Sequence, residues 1–449
     1  MSKDIRIRKG LDIKLVGEAE KSTSQLPLAS IYAIKPDNFH RITPKLNIRE
    51  KAEIKAGEAL FHSKIDERIL FPAPVSGEVV EIVRGAKRKI LEIKILADKT
   101  QKQHDFGKKD AGNMSAAEIK THLLSSGCWP FIRQRPYDII AKPDDSPRDI
   151  FVSAYASAPL APDYEYVLQG KEAELQAAIT ALGKLTSGKV HVGIPSGVNS
   201  VFSGLSGLEL HKVKGPHPAG NVSVLISRIA PINKGEKVWV VSPQDMVIIG
   251  ELLLTGKFNA QRTVALTGSE IANPRYVTTF IGARIKELLG NDLKDVHSRI
   301  ISGNVLTGTQ VDPEGFLGYY DNHITAIPEG DDYEFIGWAL PVTKKISPTR
   351  ALTFSWLNPN KKYDLNTNTN GEPRAFVVTG GYEEVFPFDI YPMQLLKACL
   401  YKDLGEMEEL GAYEIAPEDF ALTEFVCISK QPHQQIIREG LDLMIQEIG

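Results

Sequence analysis

The chain has 449 residues, room for about three domains, and its 42% apolar and 24% charged content is that of a soluble globular protein. A net charge of −3 supplies no basic field for nucleic acid. Cys128, Cys399 and Cys427 stand too far apart in sequence to encode a local iron–sulfur cluster or structural zinc site, and they suit a reducing compartment.

The first residues are basic but lack an apolar core, so no signal peptide is expected. The most apolar window, residues 238–256, is interrupted by Pro243, Gln244, Asp245 and Glu251, which makes it too polar to cross a bilayer. Residues 1–100 read as β-rich, with Ile5, Ile7, Leu11, Ile13 and Leu15 alternating with polar neighbours. Within them, Ile54–Phe61 and Phe71–Ile82 form the two halves of a barrel-sandwich hybrid, the biotinyl- or lipoyl-carrier scaffold. Pro74 sets a turn that Gly77 closes. At the hairpin position where carriers attach their cofactor this chain has Asp66, with Lys64 two places out of register.

Residues 101–149 read as a linker and a helix. Ser115 is placed as an N-cap and Glu118 completes a capping box, so the helix should run to about Ser125 and stop at Gly127. Residues 150–260 alternate strands (150–154, 189–194, 209–213, 237–241) with helices (172–185, 244–254), the signature of a Rossmann-like open α/β sheet. Pro195–Asn199 follows a strand, where phosphates often bind. The glycine-rich fingerprint is missing, so a plain turn is expected. Asp245 and Glu251 read as isolated acids on a helix, and His211 and His217 have no recognised metal spacing.

Residues 261–345 give a β–α–β–β order (Arg262–Thr267, Ile281–Leu289, Arg299–Leu306, Tyr333–Trp338) that suits a small β-grasp-like SLBB module. Residues 346–449 hold a polar loop at 358–373 and a helical C-terminal tail, with helices at 393–403 and 434–448. The expected fold class is therefore α/β and multidomain: barrel-sandwich hybrid, Rossmann-like sheet, SLBB module and helical tail.

Lys9–Ile13, Pro72–Gly77, Arg84–Arg88, Arg135–Tyr137, Ile150–Val152 with Pro159–Ala161, and Gly215–Gly220 occur in that order. Together they resemble the A subunit of the sodium-translocating NADH:quinone oxidoreductases (Nqr), and Gly215–Gly220 is the most specific of them. The domain order is more distantly similar to the C subunit of Rnf complexes and to the NADH-binding flavoprotein subunit of respiratory complex I. The resemblance implies a peripheral subunit on the cytoplasmic face of the bacterial inner membrane. It would associate with about five other Nqr subunits that carry the flavins and iron and reach the membrane through them. The complex would reduce ubiquinone with NADH and export Na⁺. This chain departs from the flavoprotein relatives in lacking both a glycine-rich flavin-phosphate run and a cysteine ladder. No tightly bound cofactor and no metal are expected on it, and no residue is assigned a catalytic role.

If a quinone is handled here, its site needs aromatic walls and donors for its carbonyls. Trp129, Phe131 and Tyr137 supply rings, and Arg133 and Arg135 supply charges for a reduced oxygen. His217, in the rigid Gly215–Gly220 loop, is a candidate proton donor. Two readings stand side by side: a quinone-contacting subunit, or a structural subunit in which the same residues pack a domain seam or meet a partner.

Overall fold

A computed structural model describes residues 2–331, 345–347, 357 and 360–449. The strand expected at Tyr333–Trp338 lies outside the described residues.

The barrel-sandwich consists of two antiparallel sheets. One runs in the order Ile31–Ile34, Ile90–Ala97, Gly77–Arg84, Glu53–Ile54, and the other Pro44–Leu46, Ala59–Ser63, Leu70–Pro72. Leu60, Phe61, Phe71, Val79, Ile93 and Ile95 are fully buried. Phe61 and Phe71 stack with centroids 4.5 Å apart. Gly77 is required by close approach, because a Cβ there would lie 1.9 Å from the Leu96 carbonyl oxygen.

The next helix, Ala116–Ser125, starts on the expected capping box. The Ser115 N–H donates to Glu118 Oε2 at 2.7 Å, and the Glu118 N–H donates to Ser115 Oγ at 3.3 Å. A seven-stranded sheet follows, in the order Asp4–Arg6, Glu209–Lys214, Val190–Pro195, Ile150–Ser153, Val238–Val240, Arg133–Arg135, Ile139–Ile140. Its first five strands are parallel and the last two are antiparallel additions.

Two features of this sheet differ from the sequence expectation. Asp4–Arg6, expected within the barrel region, instead pairs with Glu209–Lys214, where Ile5 and Ile7 join the same apolar cluster as Val213. The linker also contributes the two antiparallel strands, Arg133–Arg135 and Ile139–Ile140.

Successive side chains of a strand face opposite sides, and residues 238–241 show it directly. Trp239 and Val241 enter the core shared with Glu172–Leu185 and Pro243–Thr255. Val238 and Val240 enter a second core with Val222–Ile229 and the C-terminal helices, among them Leu395, Leu396, Ile437, Leu441 and Met444. The helical tail thus completes the second face of the sheet, since a buried parallel sheet needs cover on both sides.

A six-stranded sheet makes the SLBB module: Thr309–Gln310, Ser298–Ser302, His323–Pro328, Gln261–Thr267, Arg275–Phe280 and Glu20–Gln25, with a short helix at Ile285–Leu289. The last of these strands again comes from the N-terminal region and runs parallel to Arg275–Phe280.

Candidate functional site

After the Ala116–Ser125 helix, Gly127 takes φ +71° and brings the chain against the barrel, where a Cβ would lie 2.6 Å from Pro72 Cδ. The chain then runs through Trp129–Phe131 into the Arg133–Arg135 strand, past three domains at once.

Trp129 is fully buried, donates from its indole N–H to the Ala141 carbonyl at 2.7 Å and meets Trp239 edge-on at 5.4 Å. Phe131 is buried between domains. It stacks on Tyr319 of the SLBB module at 5.2 Å and lies parallel to Phe258 at 6.3 Å, with the Arg262 guanidinium 6.0 Å away. Tyr320 donates its hydroxyl hydrogen to the Pro130 carbonyl at 2.7 Å, and Arg133 lies 5.6 Å from the Tyr320 ring. Trp129 and Phe131 therefore lie in the seam between barrel, α/β sheet and SLBB module.

The basic members are held by acids. Arg133 pairs with Asp138 at 3.3 Å and keeps a third of its side chain exposed. Arg135 is 1% exposed and pairs with Asp138 and with Glu418, the latter at 2.9 Å. Burial alone would raise the Asp138 carboxyl, but Arg133 and Arg135 hold it well below the usual carboxylate range. Tyr137 is half-buried at φ +82°, a left-handed conformation unusual for a tyrosine. Its carbonyl accepts from Arg438, and its ring meets Tyr413 edge-on at 6.4 Å.

The Gly215–Gly220 loop lies at the carboxyl end of the Glu209–Lys214 strand, the side of an open α/β sheet where ligands usually sit. It is packed from below by the N-terminal segment: a Cβ on Gly10 would lie 2.2 Å from the His217 carbonyl oxygen. The His217 N–H donates to Asp12 at 2.9 Å, and the Leu11 N–H donates to the His217 carbonyl at 2.8 Å. The His217 ring is buried with its Nδ1 3.1 Å from Ser157 Oγ, and burial brings it down to about 4, so it is uncharged at neutral pH. The Pro195–Asn199 turn is mostly exposed.

Sequence reasoning missed the acidic turn that links these two stretches. At Pro417–Phe420, Glu418 pairs with Arg135, and Asp419 accepts from Asn221 Nδ2 at 3.2 Å, next to the start of the Val222–Ile229 helix. Burial, then the neighbouring Glu418, pushes the Asp419 carboxyl up to about 7. Asp245, read as an isolated acid, is instead buried in an ion pair with Arg262. A groove of about 600 Å³ opens elsewhere, between the barrel hairpin and the Ala116–Ser125 helix; Arg68, Leu70, Lys120, Leu124 and Asp144 line it, and none of the predicted site residues does.

Three sequence families match in order: the NqrA N-terminal barrel-sandwich hybrid domain over residues 5–98, the NqrA second alpha/beta domain over 114–258 and the NQRA C-terminal domain over 263–312. The A subunit of the Na(+)-translocating NADH-quinone reductase of Neisseria meningitidis serogroup B is 33% identical over 99% of this chain and 100% of that one. The chain belongs to the NqrA family. The corresponding A subunits of Vibrio atlanticus and Serratia proteamaculans are each 34% identical, over 99% of this chain and the whole of theirs. Among solved structures, the air-oxidized NAD+-reducing [NiFe]-hydrogenase superposes weakly, with a TM-score of 0.32 and 12% identity over 49% of this chain and 45% of that one. In this NqrA chain, both the Cys128–Tyr137 stretch and the Gly215–Gly220 loop are built into the fold by contacts from distant segments.

Proposed function

We propose that this chain is the peripheral subunit of a Na⁺-translocating NADH:ubiquinone reductase, held on the cytoplasmic face of the bacterial inner membrane by about five partner subunits. In this role it supports reduction of ubiquinone to ubiquinol coupled to Na⁺ export, and the flavins and iron reside on the partners. The observation that carries the reading is the full-length match to NqrA relatives, with all three domains in family order. Among the described residues no helix is long and apolar enough to cross a membrane, which suits attachment through partners.

Within that role, quinone contact runs through Arg133 and Tyr137, the two candidates that solvent reaches. Trp129 and Phe131 act behind them, holding the seam, while Arg135 ties down the acidic turn of the tail and His217 fixes the adjoining loop. The enclosure of these four favours a second reading, an assembly subunit that touches no quinone. Arg133→Ala and Tyr137→Phe in the assembled complex separate the two. A fall of tenfold or more in ubiquinone reduction, with NADH oxidation by an artificial acceptor and subunit composition unchanged, supports quinone contact. Unchanged turnover by an intact complex leaves the assembly reading.

A further inference from the structure

The parallel strands Val190–Pro195 and Glu209–Lys214 carry a constellation that the reading above does not use. In their register His191 faces Glu209 and Gly193 faces His211, so His191, Glu209 and His211 share one face of the sheet. Gly193 has no side chain to separate the imidazoles, and His191 Nδ1 lies 3.0 Å from His211 Nε2. Glu209 Oε2 lies 3.6 Å from the same His191 nitrogen. One ligand atom from each of the three residues falls within 4.8 Å of the others. We propose that His191, Glu209 and His211 form a binding site for a zinc-class divalent transition-metal ion, with water as its fourth ligand.

Zinc at its usual bond lengths holds tetrahedral ligand atoms about 3.3 Å apart, and the two measured separations lie on either side of that value. Two imidazoles with a carboxylate suit zinc rather than calcium or magnesium, which take oxygen ligands. The outer shell is also present: His191 Nε2 faces Asp149 Oδ1 at 3.5 Å, the carboxylate–histidine arrangement that orients a ligating imidazole. Phe151 stacks on the His191 ring at 4.9 Å and fixes its plane. Both histidines are buried, while the Glu209 side chain is 19% exposed and gives an ion its way in.

Without metal the same nitrogens form a relay. The Lys3 N–H donates to His211 Nδ1 at 3.2 Å, His211 Nε2–H donates to His191 Nδ1, and His191 Nε2–H faces Asp149. Metal on His211 Nε2 moves that proton to Nδ1, so the Lys3 amide must turn away. Glu209 already pairs with Lys189 and with a second cationic neighbour, and an ion bound by its carboxylate takes the place of part of that pairing.

The test is titration of the chelator-treated full chain with Zn²⁺ against a chromophoric chelator, and with Co²⁺ followed by visible absorption. One equivalent should bind with micromolar affinity or better, and Co²⁺ should give the intense visible bands of a low-coordinate site. His191→Gln and His211→Gln should each weaken uptake at least 100-fold, Asp149→Asn should weaken it 10- to 100-fold, and the exposed His297→Gln should change nothing. Binding only at millimolar Zn²⁺, or uptake that survives loss of both histidines, overturns the proposal. Should those variants fail to fold, anomalous scattering from Zn²⁺-soaked wild-type crystals decides it: a peak at the three residues supports the site, and none there refutes it.

Discussion

Two regions of this chain occupy places where related architectures hold a cofactor, and they are closed by different means. At the barrel hairpin the carrier position is Asp66, and Arg68 ties it down, donating to Asp66 at 2.7 and 2.9 Å and to Asp144 of the linker at 2.7 and 2.8 Å. These groups are largely in water: Arg68 is 49% exposed and Asp144 81% exposed. Beside the start of the Val222–Ile229 helix, the cover is the acidic turn of the C-terminal region, where Asp419 is 1% exposed and Glu418 pairs with Arg135, itself 1% exposed. The first is a surface latch that tethers a hairpin. The second is part of the core, and it lies beside a helix start, where a related fold would receive a phosphate.

The contrast predicts effects of different size. Arg135→Ala should be the most damaging, leaving Asp138 and Glu418 without their buried partner. A loss on the order of 3 kcal/mol is expected, seen as a fall of several degrees in the apparent Tm of the isolated chain. A wild-type melt in that variant would show that the tail is only loosely seated on the sheet.

Asp419→Asn should act next, and in a pH-dependent way. The folded carboxyl sits at about 7, whereas an unfolded aspartate sits at about 3.9. Between those values the folded chain holds a proton that the unfolded chain has released, so stability falls as pH rises through that window. The asparagine variant removes this decline. Its Tm should exceed that of the wild type at pH 8 and lose the advantage toward pH 4, and parallel Tm–pH curves would contradict the assignment.

Arg68→Ala should do least to stability, about 1 kcal/mol or less, because exposed pairs are weak. Its signature should be local: faster amide exchange around residues 63–70 with the rest of the chain unchanged. Exchange that quickens across the sheet as well would make the latch a core element.

Much of this fold was legible locally. The capping box at Ser115 and Glu118, the parallel strands at 150–153 and 190–195, and the barrel turn around Pro74 follow from patterns a few residues long. What was not legible depends on pairing across long separations. Asp4–Arg6 alternates like any strand, and nothing in it names Glu209–Lys214 as its neighbour. Asp245 looked unpaired because Arg262 lies on a strand beyond the end of its helix. His211 invited comparison with nearby His217, yet its neighbour is His191, 20 residues back on the adjacent strand. The Cys128–Tyr137 aromatics were visible as a cluster, but their partners Phe258, Tyr319 and Tyr320 come from later in the chain.

The early strands bear on how such a chain is made. Asp4–Arg6 and Glu20–Gln25 are translated well before the strands they pair with, and each completes the edge of a sheet encoded much later, at Glu209–Lys214 and at Arg275–Phe280. At synthesis rates of about 5–20 residues per second, the first strand waits roughly 10–40 s for its partner to be translated. During that time the barrel, encoded in between, can close on its own, while the segment before it stays unpaired. Asp4–Arg6 and Glu20–Gln25 therefore close sheets whose other strands are encoded far away, and the α/β sheet has an open edge until Asp4–Arg6 pairs with it.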